Sequence, residues 1–414
     1  MQKISLLNYR KEKDQGGNIM SLSPVSSYQP LNEQTVKELA FKLNFFEEDA
    51  DLSCQEIGDG NLNLVFQISE KGKNAIIIKQ ALPYAKVVGE SWPLTVDRAR
   101  IEADALKLQQ IHAPDLVPQV FHSDELLAVT VMEDLSSLNI LRTGLINRNP
   151  FPYLAEHIGT FLANTLYFTS DYALHPFKKK EYVKNFSNPE LCKITEDLVF
   201  TDPFFNSETN DFEEELLPLL KDLWNNFTLK LEVAKLKKSF ITESEALLHG
   251  DLHTGSIFAD ENQTKVIDPE FAFYGPIGFD IGQFFANLTF QAITREDTEG
   301  KEEILTILSD TWNVFSETFS QHWQESGDAY TKVNGYLEYV LNKAFQDSAG
   351  FSGCELIRRT AGLAHVADLD GIPEKDKRLN AKRKSLSLGR ELILNRHTLS
   401  SIGELTQLIR KHSS

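Results

Sequence analysis

Three cysteines in 414 residues, Cys54, Cys192 and Cys354, are too sparse and too widely spaced for a disulfide framework or a cysteine metal cluster. No apolar run approaches the ~18 residues of a membrane-spanning helix. The stretch Met1–Gln29 is polar and has no apolar core of a secretory signal. Together these absences predict a cytoplasmic protein, with Met20 as an alternative start. Basic residues are the minority. The 42 Lys and Arg against 60 Asp and Glu leave a formal net charge of −18, which argues against nucleic acid or an anionic membrane as partner. A phosphorylated ligand would then need positive charge concentrated locally or supplied by a metal ion. Internal repeats and low-complexity tracts are missing too. The 41% of hydrophobic residues exclude a disordered chain, and the length suits two lobes better than one.

The first third of the chain reads as strands. Gln55–Gly58 leads into a Gly- and Asn-rich turn, Leu64–Ile68 returns, and Ala75–Gln80 forms a buried-type strand carrying Lys79. Val96–His112 turns helical, with Ile101, Ala105, Leu108 and Ile111 recurring at helical spacing, and Leu126–Met132 is again strand-like. Beyond Asn149-Pro150 amphipathic helices dominate, most clearly over Pro152–Tyr167 and Phe212–Lys237. Thr169–Thr209 is less regular, strand character returns only near Leu247 and Val266, and Lys375–Lys384 reads as a basic loop. The fold class is α+β and bilobal: an extension over 1–30, a small β-rich lobe over 31–132, a hinge near Met132, and a larger helical lobe over 133–414.

Four elements carry chemistry. Gly58-Asp59-Gly60-Asn61-Leu62-Asn63 lies between two strands, where glycines let backbone amides approach phosphate oxygens; the same run also serves as an ordinary hairpin turn. Lys79 closes an apolar strand and needs a partner for its charge. Glu102 either supplies it, orienting the ammonium toward phosphates, or pairs with Arg98 one turn earlier. The third element is His249-Gly250-Asp251-Leu252-His253-Thr254-Gly255-Ser256, followed after a hairpin by Asp268-Pro269-Glu270. Asp251 is placed to accept a hydroxyl proton, and the hard carboxylates of Asp268 and Glu270 suit Mg²⁺. His249 and His253 are four apart, but Gly250 makes the helix that zinc would require unfavourable. His249 is read as bonding the loop backbone. Asp280 is read as structural, either a helix N-cap or a brace for the loop. The fourth element is Arg358-Arg359 among apolar neighbours. On a helix the two point about 100° apart and share one target only at a helix end or across a cleft.

Gly58–Phe66, Lys79, Met132-Glu133-Asp134-Leu135, His249–Ser256 and Asp268-Pro269-Glu270 resemble the aminoglycoside phosphotransferase and choline kinase group of protein-kinase-like folds. Val87–Pro93, His253–Ile257 and Arg358–Gly362 are similar to its methylthioribose kinase family in particular. The resemblance implies transfer of the ATP γ-phosphate to the anomeric hydroxyl of 5-methylthioribose, in methionine salvage. It puts Asp251 at the sugar hydroxyl, Asp268, Pro269 and Glu270 at Mg²⁺-ATP, and Arg358 and Arg359 near the sugar and the transferred phosphate. It also implies phosphate contacts from Gly58, Asp59, Gly60, Asn61, Asn63 and Lys79. Adenine contacts would come from Glu133, Asp134 and Leu135, a closing segment from the loop around Trp92, and the assembly would be a homodimer. One position departs from the wider group, whose metal-binding Asn five residues after the catalytic Asp is Ser256 here; Glu270 is expected to take over that duty. A kinase for another small alcohol, or a nucleotide-binding scaffold without turnover, are the rival readings.

Overall fold

In the computed structural model, residues 28–57, 62–71, 75–86 and 92–413 are described. The strands β1 (Leu52–Glu56), β2 (Asn63–Glu70), β3 (Ile76–Ala81), β4 (Val120–Asp124) and β5 (Val129–Glu133) form an antiparallel sheet in the order β1-β2-β3-β5-β4. Alternate residues Phe66 and Ile68, Ile76 and Ile78, and Val129 and Val131 share one buried face with Val36 and Ala40 of α1 (Glu33–Lys42). Each such fully buried side chain stabilises by about 1.5–3 kcal/mol. The helix α2 (Arg98–His112) carries Ile101, Ala105 and Leu108 against Leu247, Ala272 and Tyr274, far along the chain. Ile111, expected on that face, is 71% exposed, while the end of the helix is held instead by His112, whose ring stacks on Phe168 and whose carbonyl accepts from Asn164 at 3.0 Å.

The rest is mainly helical, interrupted by β6 (Asn139–Ile140) and four short strands that build the site: β7 (Ala246–Leu248), the hairpin of β8 (Ile257–Ala259) and β9 (Thr264–Val266), and β10 (Phe273–Gly275), which pairs with β7. The helices α3 (Leu141–Ile146) and α4 (Leu154–Phe168) come first. The stretch read as irregular holds two regular helices, α5 (Pro176–Asn185) and α6 (Pro189–Phe200), each opening with proline in its first turn. The amphipathic stretch Phe212–Lys237 is not one helix. It divides into α7 (Leu217–Asn225) and α8 (Phe227–Thr242) at Asn226, whose side chain accepts from the Leu229 amide at 3.0 Å as an N-cap.

The buried helix α9 (Gly278–Thr294) lies at the core beside α10 (Thr298–Glu325) and α11 (Tyr336–Ala361). A Cβ at Gly282 would come within 2.7 Å of the Ser348 carbonyl, so glycine there lets α9 and α11 approach closely. Ser352 Oγ then donates to the Gly282 carbonyl at 2.7 Å. Beyond the short α12 (Ala367–Asp370) the supposed basic loop is the first half of α13 (Lys375–Asn395), before α14 (Ile402–Ser413) ends the described chain. Four of the basic side chains of α13 are paired there: Lys375 with Glu215, Arg378 and Lys382 with Glu213, and Lys377 with Glu296. No described helix is long and apolar enough to cross a membrane.

Candidate active site

Gly250 marks the point where β7 turns away from its partner strand. Its φ is +85°, and a Cβ there would lie 2.2 Å from the Phe271 carbonyl oxygen. Only glycine fits. The Asp280 carboxylate accepts from the amides of His249 at 2.6 Å and Gly250 at 3.0 Å. Ile277, not Asp280, caps α9, so of its two expected structural roles Asp280 performs the bracing one. His249 completes the brace, with Nε2 2.8 Å from the Ile267 carbonyl and Nδ1 accepting from the Asp251 amide at 3.3 Å.

The β8–β9 hairpin then returns the chain, and the Ile267 amide donates to Ser256 at 2.9 Å, which sets Asp268 beside the Asp251 loop. Asp268 has φ +68°, a left-handed conformation that costs a non-glycine residue energy and is concentrated at functional sites. From the sheet, Lys79 Nζ reaches Glu102 Oε1 at 2.8 Å and contacts the Asp268 carboxylate. Of the two partners open to Glu102, Lys79 is the one it takes. Arg98 is instead fully buried, donating to Glu270 Oε2 at 3.2 Å, to Asn63 Oδ1 at 3.1 Å and to the carbonyls of Leu62, Leu82 and Thr95. Asn63 Nδ2 also donates to Glu270, at 3.0 Å.

Across the cleft, Arg358 and Arg359 occupy the last turn of α11, as a shared target at a helix end requires. Their Nη2 atoms lie 3.4 and 3.5 Å from Asp251 Oδ1, and His253 Nε2 lies 3.4 Å from Oδ2. Burial alone would push Asp251 up, but His253, Arg359 and Arg358 outweigh it and hold the carboxyl well below its usual range. The cleft between the two groups has a volume of about 860 Å³ and is also lined by Trp92, Glu133, Asp134 and Leu135, and by Thr195 and Leu198 of α6. The Glu133 amide donates to the Gln119 carbonyl, the Asp134 carboxylate is held by Gln67 and Ser136, and the Leu135 carbonyl accepts from the Leu138 amide. Pro269 is buried and is not among the residues that line the cleft. Gly58, Asp59, Gly60, Asn61 and Val87–Ser91 lie outside the described residues.

The phosphotransferase enzyme family profile matches residues 53–306, more than half of the chain. Methylthioribose kinase of Geobacillus sp. (strain WCH70) is 57% identical over 391 residues, 94% of this chain and 98% of that protein. The same-named protein of Bacillus pumilus (strain SAFR-032) is 51% identical over 388 residues, covering 93% and 98%. The chain belongs to the phosphotransferase enzyme family, among its methylthioribose kinases. Among solved structures, choline kinase from Cryptosporidium parvum Iowa II has a TM-score of 0.49 and 14% identity, covering 89% of this chain and 99% of that one.

A phosphotransferase site must hold like charges together until its nucleotide arrives. Here two cations, Lys79 and Arg98, face three carboxylates, Glu102, Asp268 and Glu270. No group of three His, Cys, Asp or Glu side chains is clustered for a metal among the described residues. Two neighbouring carboxylates nevertheless fit Mg²⁺, which keeps waters and takes further ligands from phosphates. The fit shows in Glu270, whose carboxyl is raised first by burial and then by the charge of Asp268, a repulsion that a divalent cation would relieve. Burial likewise pushes Glu102 from an ordinary 4.5 up to about 7 despite Lys79. A carboxyl raised in the folded state stabilises below its unfolded value and loses that contribution as pH rises through its folded value. The melting temperature of wild type minus that of Glu102→Gln should therefore fall between about pH 4.5 and pH 7. A difference that is flat with pH would contradict this.

Arg98, Arg142 and Glu355 were not anticipated. Arg142 donates to Asn287 Oδ1 at 2.7 Å and pairs with Asp368 at 3.1 Å, beneath the loop in which Thr254 contacts the same Asn287 oxygen at 3.3 Å. Only Glu355 left a signal that could have been read, since it precedes the arginines by three and four residues, a spacing that shares a helix face.

Proposed function

We propose that this chain transfers the γ-phosphoryl group of ATP to the anomeric hydroxyl of 5-methylthioribose, giving the 1-phosphate in methionine salvage. The observation that carries the reading is the single cleft with Asp251 facing Arg358 and Arg359 on one wall and Lys79, Asp268 and Glu270 on the other. Such transfer asks the protein mainly to position its reactants and to offset charge on the moving phosphoryl oxygens.

In this reading adenine meets the backbone of Glu133–Leu135, at the boundary between lobes 31–132 and 133–414. Lys79, held by Glu102, turns to the α- and β-phosphates, and Asn63 joins Gly58–Asn61 around them. Asp268 and Glu270 would hold Mg²⁺, which would supply positive charge against that of the phosphates. Asp251, ionised at any working pH, orients the sugar hydroxyl and accepts its proton as the oxygen attacks phosphorus. Arg358 and Arg359 release Asp251 and meet the sugar and the incoming phosphoryl charge, while Trp92 closes over them. A neutral sugar suits this wall better than a cationic alcohol, which would meet two guanidinium groups. With the reaction go a homodimeric assembly and cytoplasmic action, both carried by the family likeness.

Phosphorus NMR of a reaction with 5-methylthioribose and Mg²⁺-ATP should show one sugar phosphate, labile in acid as a 1-phosphate is. An acid-stable product would move the transfer to another hydroxyl.

A further inference from the structure

Adjacent helical residues point about 100° apart, yet Arg358 and Arg359 bring one Nη2 atom each to the same oxygen of Asp251. The group that reconciles them is Glu355. It is wholly buried on α11, and its two oxygens are divided between the pair: Oε2 accepts from Arg358 Nε and Oε1 from Arg359 Nε at 2.8 Å. Fixing each guanidinium by Nε leaves its far edge turned toward the cleft. Burial alone would raise the Glu355 carboxyl, but Arg358 and Arg359 together hold it below its ordinary value. It therefore stays an acceptor for both. No other carboxylate among the described residues contacts both arginines except Asp251, which the substrate hydroxyl must share.

We infer that Glu355 is a positioning residue that holds Arg358 and Arg359 as one fork, so that two guanidinium edges meet the sugar and the transferred phosphoryl group together. The inference rests on the proposed role of the two arginines. It adds that the fork acts as a unit and that its geometry depends on a carboxylate that never touches the ligands. A glutamine at 355 has one carbonyl acceptor and a donating NH₂, so it can serve one arginine while repelling the other.

The test is a mutant cycle on the full chain, with kcat and both KM values measured for 5-methylthioribose and Mg²⁺-ATP. Glu355→Gln should lower kcat about 10²-fold and raise the sugar KM several-fold, leaving the ATP KM within about twofold. Glu355→Asp should recover part of the loss. In an Arg358→Ala, Arg359→Ala background Glu355→Gln should have no further effect on kcat/KM, since the groups it positions are gone. Equal losses in both backgrounds, or normal turnover by a folded Glu355→Gln, would overturn the inference. So would unfolding of both single variants in thermal melts, which would make Glu355 a core-stabilising group. Failure of the wild type to phosphorylate methylthioribose would instead strike at the assigned reaction, and the two failures are distinguishable.

Discussion

Asp251→Ala should lower turnover by about 10³-fold or more while leaving ATP affinity within a few-fold. Its side chain is 26% exposed, and none of its contacts, His253, Arg358 and Arg359, pairs with Lys79 or Asp268. Truncation therefore removes the hydroxyl-orienting carboxylate and spares the groups assigned to phosphates. The fold should survive, because the loop is held by Asp280 and His249 rather than by Asp251. Asp251→Asn should be nearly as impaired, since an amide keeps the shape but cannot accept the proton. Steady-state turnover and calorimetric titration with ATP measure the two halves. Near-normal turnover in either variant would sink the assignment of Asp251.

Lys79→Ala is expected to damage both stability and activity. Lys79 is 11% exposed, contacts Glu102 and Asp268, and stands within the field of Glu270, so its loss leaves buried carboxylates facing one another. Breaking a buried pair by removing one partner typically costs about 3–5 kcal/mol. The partial exposure of Asp268, 39%, places the expected loss near the lower end of that range, about 3 kcal/mol. Adding Mg²⁺ should recover some of it, because a cation at Asp268 and Glu270 replaces the missing charge. The ATP KM should rise and kcat fall together. Urea denaturation with and without Mg²⁺ checks this; a variant as stable as wild type without the cation would mean that the carboxylates are relieved by protonation or by water.

Much of this site was legible because its chemistry is local. His249–Asp251 and Asp268–Glu270 each stand at a strand end, and one hairpin joins them. A closing lysine on an apolar strand also announces that it needs a partner. The rest depends on partners distant in sequence. Arg98 meets Glu270 across 172 positions, and nothing near Arg98 marks it as buried. Asp280 reaches back about thirty residues to the loop amides. Charge masked two helices. In α5, Lys179 is buried only because Asp171 and the Glu245 carbonyl receive its ammonium. In the first half of α13, Leu379 and Ala381 are buried beside Lys382, whose charge is met by Glu213 and Asp370. Such paired lysines defeat a hydrophobic pattern, since burial there follows from ion pairing rather than from apolarity.

The most direct measurement is Mg²⁺-dependent ADP release by the wild-type protein with 5-methylthioribose, beside ribose, choline and kanamycin. The cleft described here predicts strong release with methylthioribose and little with the other three. Preferential turnover of choline or kanamycin, or nucleotide binding with no turnover at all, would contradict it.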